Sequence, residues 1–345
     1  MNFQIAMLLG QDGITNGAIY ALLALSILLV FTVTRILLIP QGEFVTYGAL
    51  TMASIQAGHP TALVWLVLAL TIADCAMDLI GGLRASHAWR FPKKILLKLG
   101  YALALVALVR YLPLAQLPMA LQALLTLALV VPLGPQIYRL VFQPIASASS
   151  LVLLIVSIAV HVSMVGIGLL LFGPEGARTE PFSEQGLEIG PVMFNSQTLW
   201  VIVVSLALII SLFLFFERTL YGKALRATAV NRMGARLMGI SPSMAGKATF
   251  LLATFIGALS GILIAPITTL YFDSGFIISL KGFVGAIIGG LVSYPVAAVG
   301  AVAVGLIESF SMFWASAYKE IIVFTLIIPF LLWRSFTSRH VEEEE

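Results

Sequence analysis

The sequence predicts an all-α polytopic membrane protein, a bundle of about nine to eleven transmembrane helices that includes short or broken ones. Three observations carry this expectation. Hydrophobic residues make up 60% of the 345 and charged residues 10%, against about 25% charged in soluble domains. So little charge cannot cover a water-facing surface, so lipid must cover it. Apolar runs approaching the ~20 residues that a spanning helix needs recur along the chain. Lys and Arg collect in particular connections, as they do in cytoplasmic loops of membrane proteins.

The clear spans are Ile14–Leu38, Thr61–Ile80, Leu96–Leu112, Leu117–Leu140, Leu151–Phe172, Leu199–Phe216, Ala248–Leu270, Val296–Phe313 and Ile321–Trp333. Phe44–Ala57 and Gly282–Tyr294 are shorter or interrupted by glycine, and read as tilted spans, half-helices or re-entrant pieces. Pro40, Pro266 and Pro295 mark kinks or helix ends. The stretch Met1 to Gly13 has no basic region and carries Asp12, so no cleavable signal is expected and the first apolar run stays as a span. Cys75 is the one cysteine, which excludes an internal disulfide and a cysteine-rich metal site.

Charge sets the orientation. The connection 217–247 holds Arg218, Lys223, Arg226, Arg232, Arg236 and Lys247 against Glu217, and the stretch 84–98 holds Arg84, Arg90, Lys93, Lys94 and Lys98 with no acid. Both are expected in the cytoplasm. The connection 173–197 carries Glu175, Glu180, Glu184 and Glu188 against Arg178 and is expected outside. The C-terminus, with Arg334 and Arg339, then falls in the cytoplasm and, with eleven spans, the N-terminus outside. The tail Glu342–Glu345 reads as a solvated, disordered end.

The connection 217–247 is long for a helical bundle, where about 2–8 residues are usual. Ala224–Met238 is alanine-rich and proline-free, so a helix is expected. Leu225, Ala229, Met233 and Leu237 would make one apolar stripe, with Arg226, Arg232 and Arg236 to its sides. Gly239 ends the helix and Pro242 prevents its resumption. Such a helix either rests on anionic lipid or docks a cytoplasmic partner.

The run Tyr221-Gly-x-Ala-x-Arg-Ala-x-Ala-x-Asn-x-x-x-Ala-x-Leu-Met-Gly-Ile240 resembles the coupling-helix motif of the permeases that import branched-chain amino acids, in binding-protein-dependent ABC transporters. Asn16-Gly-Ala-Ile-Tyr-Ala-Leu and Gln41-Gly-Glu-Phe-Val-Thr-Tyr-Gly-Ala-Leu50 are similar to that family's first helix and the Gly-Glu motif after it. Phe142-Gln-Pro-Ile145 is similar to its Tyr-Arg-Pro-Val turn. Leu280-Lys-Gly-Phe-Val-Gly-Ala-Ile-Ile-Gly-Gly-Leu291, Pro295 and Gly-Leu-Ile-Glu308 are similar to its C-terminal signature. There are two departures. Gln41 stands where the family has His in Asn-x-Ala-His-Gly-Glu, and residues 75–115 look like an inserted helical hairpin.

The resemblance implies a single transmembrane permease domain in the bacterial inner membrane, with ATPase coupling through Gly222, Ala224, Arg226, Ala227, Asn231, Ala235, Leu237, Met238, Gly239 and Ile240. It implies a homologous second permease subunit, two cytoplasmic ATP-binding subunits and a periplasmic substrate-binding protein, with no cofactor on this chain and ATP on the partners. No nucleic-acid partner and no catalytic or metal residues are expected.

Charges at bilayer depth cost several kcal/mol and usually face the protein interior. Glu43 reads as a carboxylate at a helix N-terminus, or as a polar lining of the translocation pathway or an interface, with Gln41 beside it. Lys281 and Glu308 read as a structural pair or as part of the pathway. Asp74 and Asp78, four apart on one face, are expected to pair with Arg84 or Lys94. Gly257-x-x-x-Gly261 and Gly285-x-x-x-Gly289 allow close helix approach. The crowd of Gly282, Gly285, Gly289 and Gly290 also resembles a broken helix beside a substrate site. His161, mid-span, is expected to be packed and hydrogen-bonded.

Gly246-Lys247 lacks the Gly at 241 and the Ser or Thr at 248 that a nucleotide-binding loop requires, since Ser241 and Ala248 stand there. The expected function is therefore membrane passage of branched-chain or related hydrophobic amino acids, with ATP hydrolysis on a separate subunit. Two alternatives stay open: the same machinery carrying urea or short amides, and an ion-coupled secondary transporter using Glu43 or Glu308.

Overall fold

The computed structural model describes residues 3–85, 91–183, 186–189 and 192–337. Arg90, Glu184, Arg339 and the tail Glu342–Glu345 lie outside these, as do the side chains of Arg84, Glu188 and Arg334. The described chain is helical except for a hairpin of β1 (Leu187–Ile189) against β2 (Val192–Phe194) and an isolated bridge between Ala177 and Leu270.

The helices are α1 (Phe3–Thr34), α2 (Gln41–Gln56), α3 (Leu63–Ala85), α4 (Phe91–Tyr111), α5 (Met119–Val130), α6 (Leu133–Ile137), α7 (Ser150–Phe172), α8 (Ser196–Arg218), α9 (Leu220–Val230), α10 (Arg232–Leu237), α11 (Pro242–Ile264), α12 (Ser274–Ile288), α13 (Tyr294–Ala315), α14 (Lys319–Thr325) and α15 (Ile327–Thr337). Among the described residues seven helical stretches are long and apolar enough to cross a bilayer: α1, α3, Met119–Ile145, α7, α8, α11, and Tyr294–Leu332 taken as one. The other expected segments are α2 and α12, which are short, and α4, which carries Lys93, Lys94, Lys98 and Arg110.

α1 is the central post. It starts eleven residues before the expected span, because Gly13 and Gly17 let it lie directly on Leu306, Val302 and Gly305 of α13. A Cβ at any of these three glycines would collide with the opposite backbone. The Gly13-x-x-x-Gly17 spacing is the small-residue packing device of membrane helices. α2 is buried around nearly its whole circumference, as a helix without a polar face must be.

α8, by contrast, turns Trp200, Val203, Leu206, Ile210 and Phe213 outward, and α7 does the same with Leu151, Ile155, Ile158 and Val162. These form the periphery. The segment between α1 and α2 is irregular. Arg35 adopts a left-handed conformation (φ 62°), and α7 stitches the segment in place: Ser157 Oγ accepts from Ile39 N (3.0 Å) and donates to Leu37 O (2.7 Å).

α3 and α4 form an antiparallel hairpin over the region read as an insertion. Its charges correct the expected pairing. Lys98 Nζ lies 2.6 Å from both Asp74 Oδ2 and Asp78 Oδ2, and Arg139 closes the cluster from the π-turn after α6, 2.5 Å from Asp74 Oδ1 and bonded to Asp78. The acids reach across to Lys98 of α4 and to Arg139 rather than to Lys94, and the Arg84 side chain lies outside the described residues. Leu105, Val109 and Leu114 also enter the core shared by α2, α5 and α7.

Candidate functional site

The conspicuous face is built by α9 and α10. The single helix expected over Ala224–Met238 is in fact two. α9 begins at Thr219, whose Oγ1 accepts from Gly222 N (3.0 Å), and stops at Asn231, which is extended (φ −147°, ψ 100°). Asn231 Oδ1 then accepts from Gly234 N (2.8 Å) and caps α10. Gly239, at φ 83°, closes α10: Ile240 N donates to Ala235 O (3.0 Å) and Gly239 N to Arg236 O (3.1 Å), the paired bonds of a Schellman end. Pro242 opens α11 in its first turn.

The break at Asn231 undoes the continuous stripe. Leu225 and Ala235 turn inward, while Met233 and Leu237 turn outward. Leu220, Tyr221, Val230, Met233, Leu237 and Met238 are each 67–84% exposed. So many exposed apolar side chains on a short connection mark an interaction surface. Of the predicted coupling residues, Arg226, Ala227, Leu237, Met238 and Gly239 are exposed, whereas Gly222 and Ala235 are buried and Asn231 acts as a cap. Gly222 is needed because a Cβ would meet the carbonyl of Phe215 where α9 turns back on α8.

A second centre lies inside the bundle. His161 is the middle residue of α7, and its Nδ1 is 3.1 Å from Glu43 Oε1. Its ring stacks on Phe276, at 4.6 Å between centroids. Glu43 is fully buried. It stands in the first turn of α2, whose N-terminus meets that of α12 where Gly42 and Gly275 lie backbone to backbone. At 16 and 15 residues, α2 and α12 are about 24 and 22 Å long, short of the ~30 Å hydrocarbon core. Two short helices therefore begin with their positive ends together, with Glu43 in the first turn of one and Asp273 just before the other.

Glu43 Oε2, Gln41 Oε1 and Thr46 Oγ1 are buried without a hydrogen-bond partner among the described residues, and Glu43 Oε1 and His161 Nδ1 are buried with only each other. Gln41 reaches away, donating from Nε2 to Ala253 O of α11 (3.0 Å). Tyr47, one turn on, donates to Met164 O (2.7 Å) and so holds α2 to α7. His161 was expected to be only a packed, hydrogen-bonded histidine. Nothing local in the sequence places it beside a carboxylate 118 residues earlier, although its mid-span position was the available signal.

The remaining candidates lie at close helix contacts. Lys281 Nζ is 2.5 Å from Glu308 Oε1, and Tyr20 donates to Oε2 at 2.7 Å, which ties α12, α13 and α1 together. Gly285 and Gly289 make room for Ala301 and Ala297 of α13, while Gly282 faces Leu23 and Ala24 of α1. The glycine crowd is thus close packing on two sides of α12. α12 begins earlier than the expected segment, at Ser274, and the chain also breaks within 282–294, where α12 ends at Ile288 and Gly290 (φ 65°) and Leu291 (φ 57°) turn it into α13. Gly246 and Lys247 sit inside α11, where Gly246 leaves space for the Tyr138 ring.

At the other end of the bundle the connection 173–195 lies across the turn between α11 and α12. Arg178 Nε donates to Pro266 O (2.8 Å), and Glu180 N donates to Gln56 Oε1 (2.9 Å).

The family model described as "Branched-chain amino acid transport system / permease component" matches residues 11–331. The chain belongs to this permease family. The permease is 26% identical over 210 residues to the high-affinity branched-chain amino acid transport system permease protein LivH of Salmonella typhimurium, covering 58% of this chain and 67% of that protein. It is 26% identical over 221 residues to LivH of Escherichia coli, with the same coverage. It is also 26% identical over 211 residues to BraD of Pseudomonas aeruginosa, covering 58% and 68%. No solved structure matches it. It is a multi-pass membrane protein and a transport permease subunit.

Proposed function

We propose that this permease is the membrane-spanning subunit of a binding-protein-dependent ABC importer that carries branched-chain or related hydrophobic amino acids across the bacterial inner membrane. The observation that carries the proposal is the apolar face of α9 and α10. It is exposed on capped helices whose inner side is anchored to the bundle through Leu225, as a knob gripped by a partner must be. The relatives named for branched-chain amino acid transport support the cargo.

In this account the α9–α10 face is cytoplasmic and the hairpin end periplasmic, in agreement with the basic 217–247 and acidic 173–197 connections. A periplasmic binding protein delivers cargo to the hairpin end. Two cytoplasmic ATPases grip α9–α10 on this subunit and on a homologous second permease. Their closure turns α9 against α8 at Gly222, and the motion passes to α1, which packs beside α9. The centre at Glu43 and His161, where two short helices begin, is the mid-membrane part of the pathway, as the broken helices of transporters border substrate sites. No covalent step is required of this chain.

Reconstitution of the permease with its partners in proteoliposomes tests the proposal. Labelled leucine should enter only with ATP and binding protein, and unlabelled isoleucine or valine should compete. Uptake driven by an ion gradient without ATPase would instead favour the ion-coupled alternative, in which Glu43 and His161 form the ion site.

A further inference from the structure

A groove of about 960 Å³ lies between the end of α1, α8, α9 and the turn after α12. Its lining is largely apolar and includes Leu25 and Leu29 of α1, Phe213 of α8 and Val292. Further along α1, Thr32 shares a hydroxyl hydrogen bond with Tyr294 at 3.2 Å. Two guanidinium groups, Arg35 just past the end of α1 and Arg226 of α9, make a charged mouth. Arg226 is matched by Glu217 at 2.8 Å, and Arg35 lies 5.9 Å from the Phe31 ring, so the mouth keeps a positive charge. The groove opens toward the lipid-facing side of α8, where Ile210 and Phe213 are 50% and 63% exposed.

We infer that this groove binds one anionic phospholipid, with its acyl chains along α1 and α8, its glycerol level at Thr32 and Tyr294 and its phosphate at Arg35 and Arg226. The polarity gradient matches that molecule from end to end. A groove open to the acyl layer is filled in the bilayer, and a hydrophobic neighbouring helix would leave Arg35 unmatched. Basic pockets between helices on the cytoplasmic side recognise such headgroups.

The backbone is a second observation. Arg35 (φ 62°) and Leu291 (φ 57°) are the only non-glycine residues with positive φ among the described residues, and both line this groove. Outliers of this kind gather at ligand clamps and switches. Leu225 and Ala229 of α9 form part of the wall, so the lipid touches the same helix that carries the partner-facing surface. The inference rests on the membrane assignment and not on the cargo.

The test uses the full chain expressed with its partner subunits in native membranes. A photoreactive p-benzoylphenylalanine replaces the exposed Val292, and mass spectrometry reads the adduct after illumination. An adduct with the mass of a phospholipid is expected, and an adduct to a protein segment would overturn the inference in favour of a helix in the groove. In parallel, phosphatidylglycerol and phosphatidylethanolamine retained on detergent-purified protein are quantified. Arg35→Gln should lower the enrichment of the anionic lipid about fivefold, the effect of one cation near a charged headgroup, with the elution profile unchanged. Equal enrichment in wild type and Arg35→Gln would contradict headgroup recognition. A defective cargo pathway would leave both readouts as they are.

Discussion

Lys281 of α12 and Glu308 of α13 face each other at 2.5 Å in the interior, and the Tyr20 hydroxyl of α1 donates to the second carboxylate oxygen. The pair sits where three tightly packed helices meet, and each partner exists to neutralise the other. Breaking such a pair leaves an uncompensated buried charge, whereas replacing both members with apolar residues is often neutral. Lys281→Met should therefore destabilise the protein by ~3–5 kcal/mol, and Lys281→Met with Glu308→Leu should recover most of that loss. Unfolding in mixed detergent micelles measures both. Equal loss in the single and double variants would mean that the pair does more than balance charge.

On the α9–α10 face the two obvious coupling substitutions differ in what they report. Ala227 is exposed, so Ala227→Asp changes only the surface that a partner meets. Gly222 is packed on the Phe215 carbonyl, so Gly222→Asp also forces α9 off α8. Ala227→Asp is expected to reduce uptake at least tenfold with unchanged thermal stability, whereas Gly222→Asp should reduce both. Full uptake in Ala227→Asp would remove that residue from the interface.

Glu43 offers a different contrast. It is fully buried between two helix N-termini and beside His161. Glu43→Gln keeps its shape and removes its charge, which leaves Asp273, at the start of α12, as the remaining carboxylate at those positive helix ends. Cargo uptake per assembled complex should fall by about an order of magnitude, and His161→Gln should fall less, because the carboxylate stays. Wild-type uptake per folded Glu43→Gln complex would show the carboxylate to be only a helix anchor.

In the α3–α4 hairpin, Arg139 and Lys98 hold Asp74 and Asp78. Arg139→Leu leaves two carboxylates with one cation and should cost ~1–3 kcal/mol. Adding Asp78→Asn should restore part of it. Because Leu105, Val109 and Leu114 are also in the core, excision of residues 82–115 should destabilise the fold rather than pass unnoticed. Thermal aggregation in detergent distinguishes these outcomes.

Much of this architecture was legible because lipid imposes simple rules. Apolar length located the spans, and the glycine spacing at 257–261 and 285–289 located close helix contacts. Glycine at 239 and proline at 242 located the end of one helix and the start of the next. What the sequence hid depends on partners far away along the chain. Asn231 sits in a run that favours helix, yet its side chain caps α10 and breaks the run. Asp74 and Asp78 had basic residues nearby in sequence, and Lys98 of that stretch reaches them, but so does Arg139, 61 residues beyond Asp78, which no local signal announced. His161 looked like an isolated polar residue on an apolar helix until folding brought Glu43 beside it. The short span 282–294 was placed too late because its own glycines, which serve α13 and α1, masked the true beginning of α12 at Ser274.

The most direct test of the account is affinity purification of the tagged permease from membranes, with ATPase activity assayed on the eluate. Wild type is compared with a variant in which Met233 and Leu237, both exposed on α10, become Asp. The account predicts an ATPase that copurifies with wild type and is lost from the variant while the permease itself elutes as a folded species. An ATPase retained equally by both, or none with either, would contradict the assignment of α9–α10 as the surface through which ATP hydrolysis drives this permease.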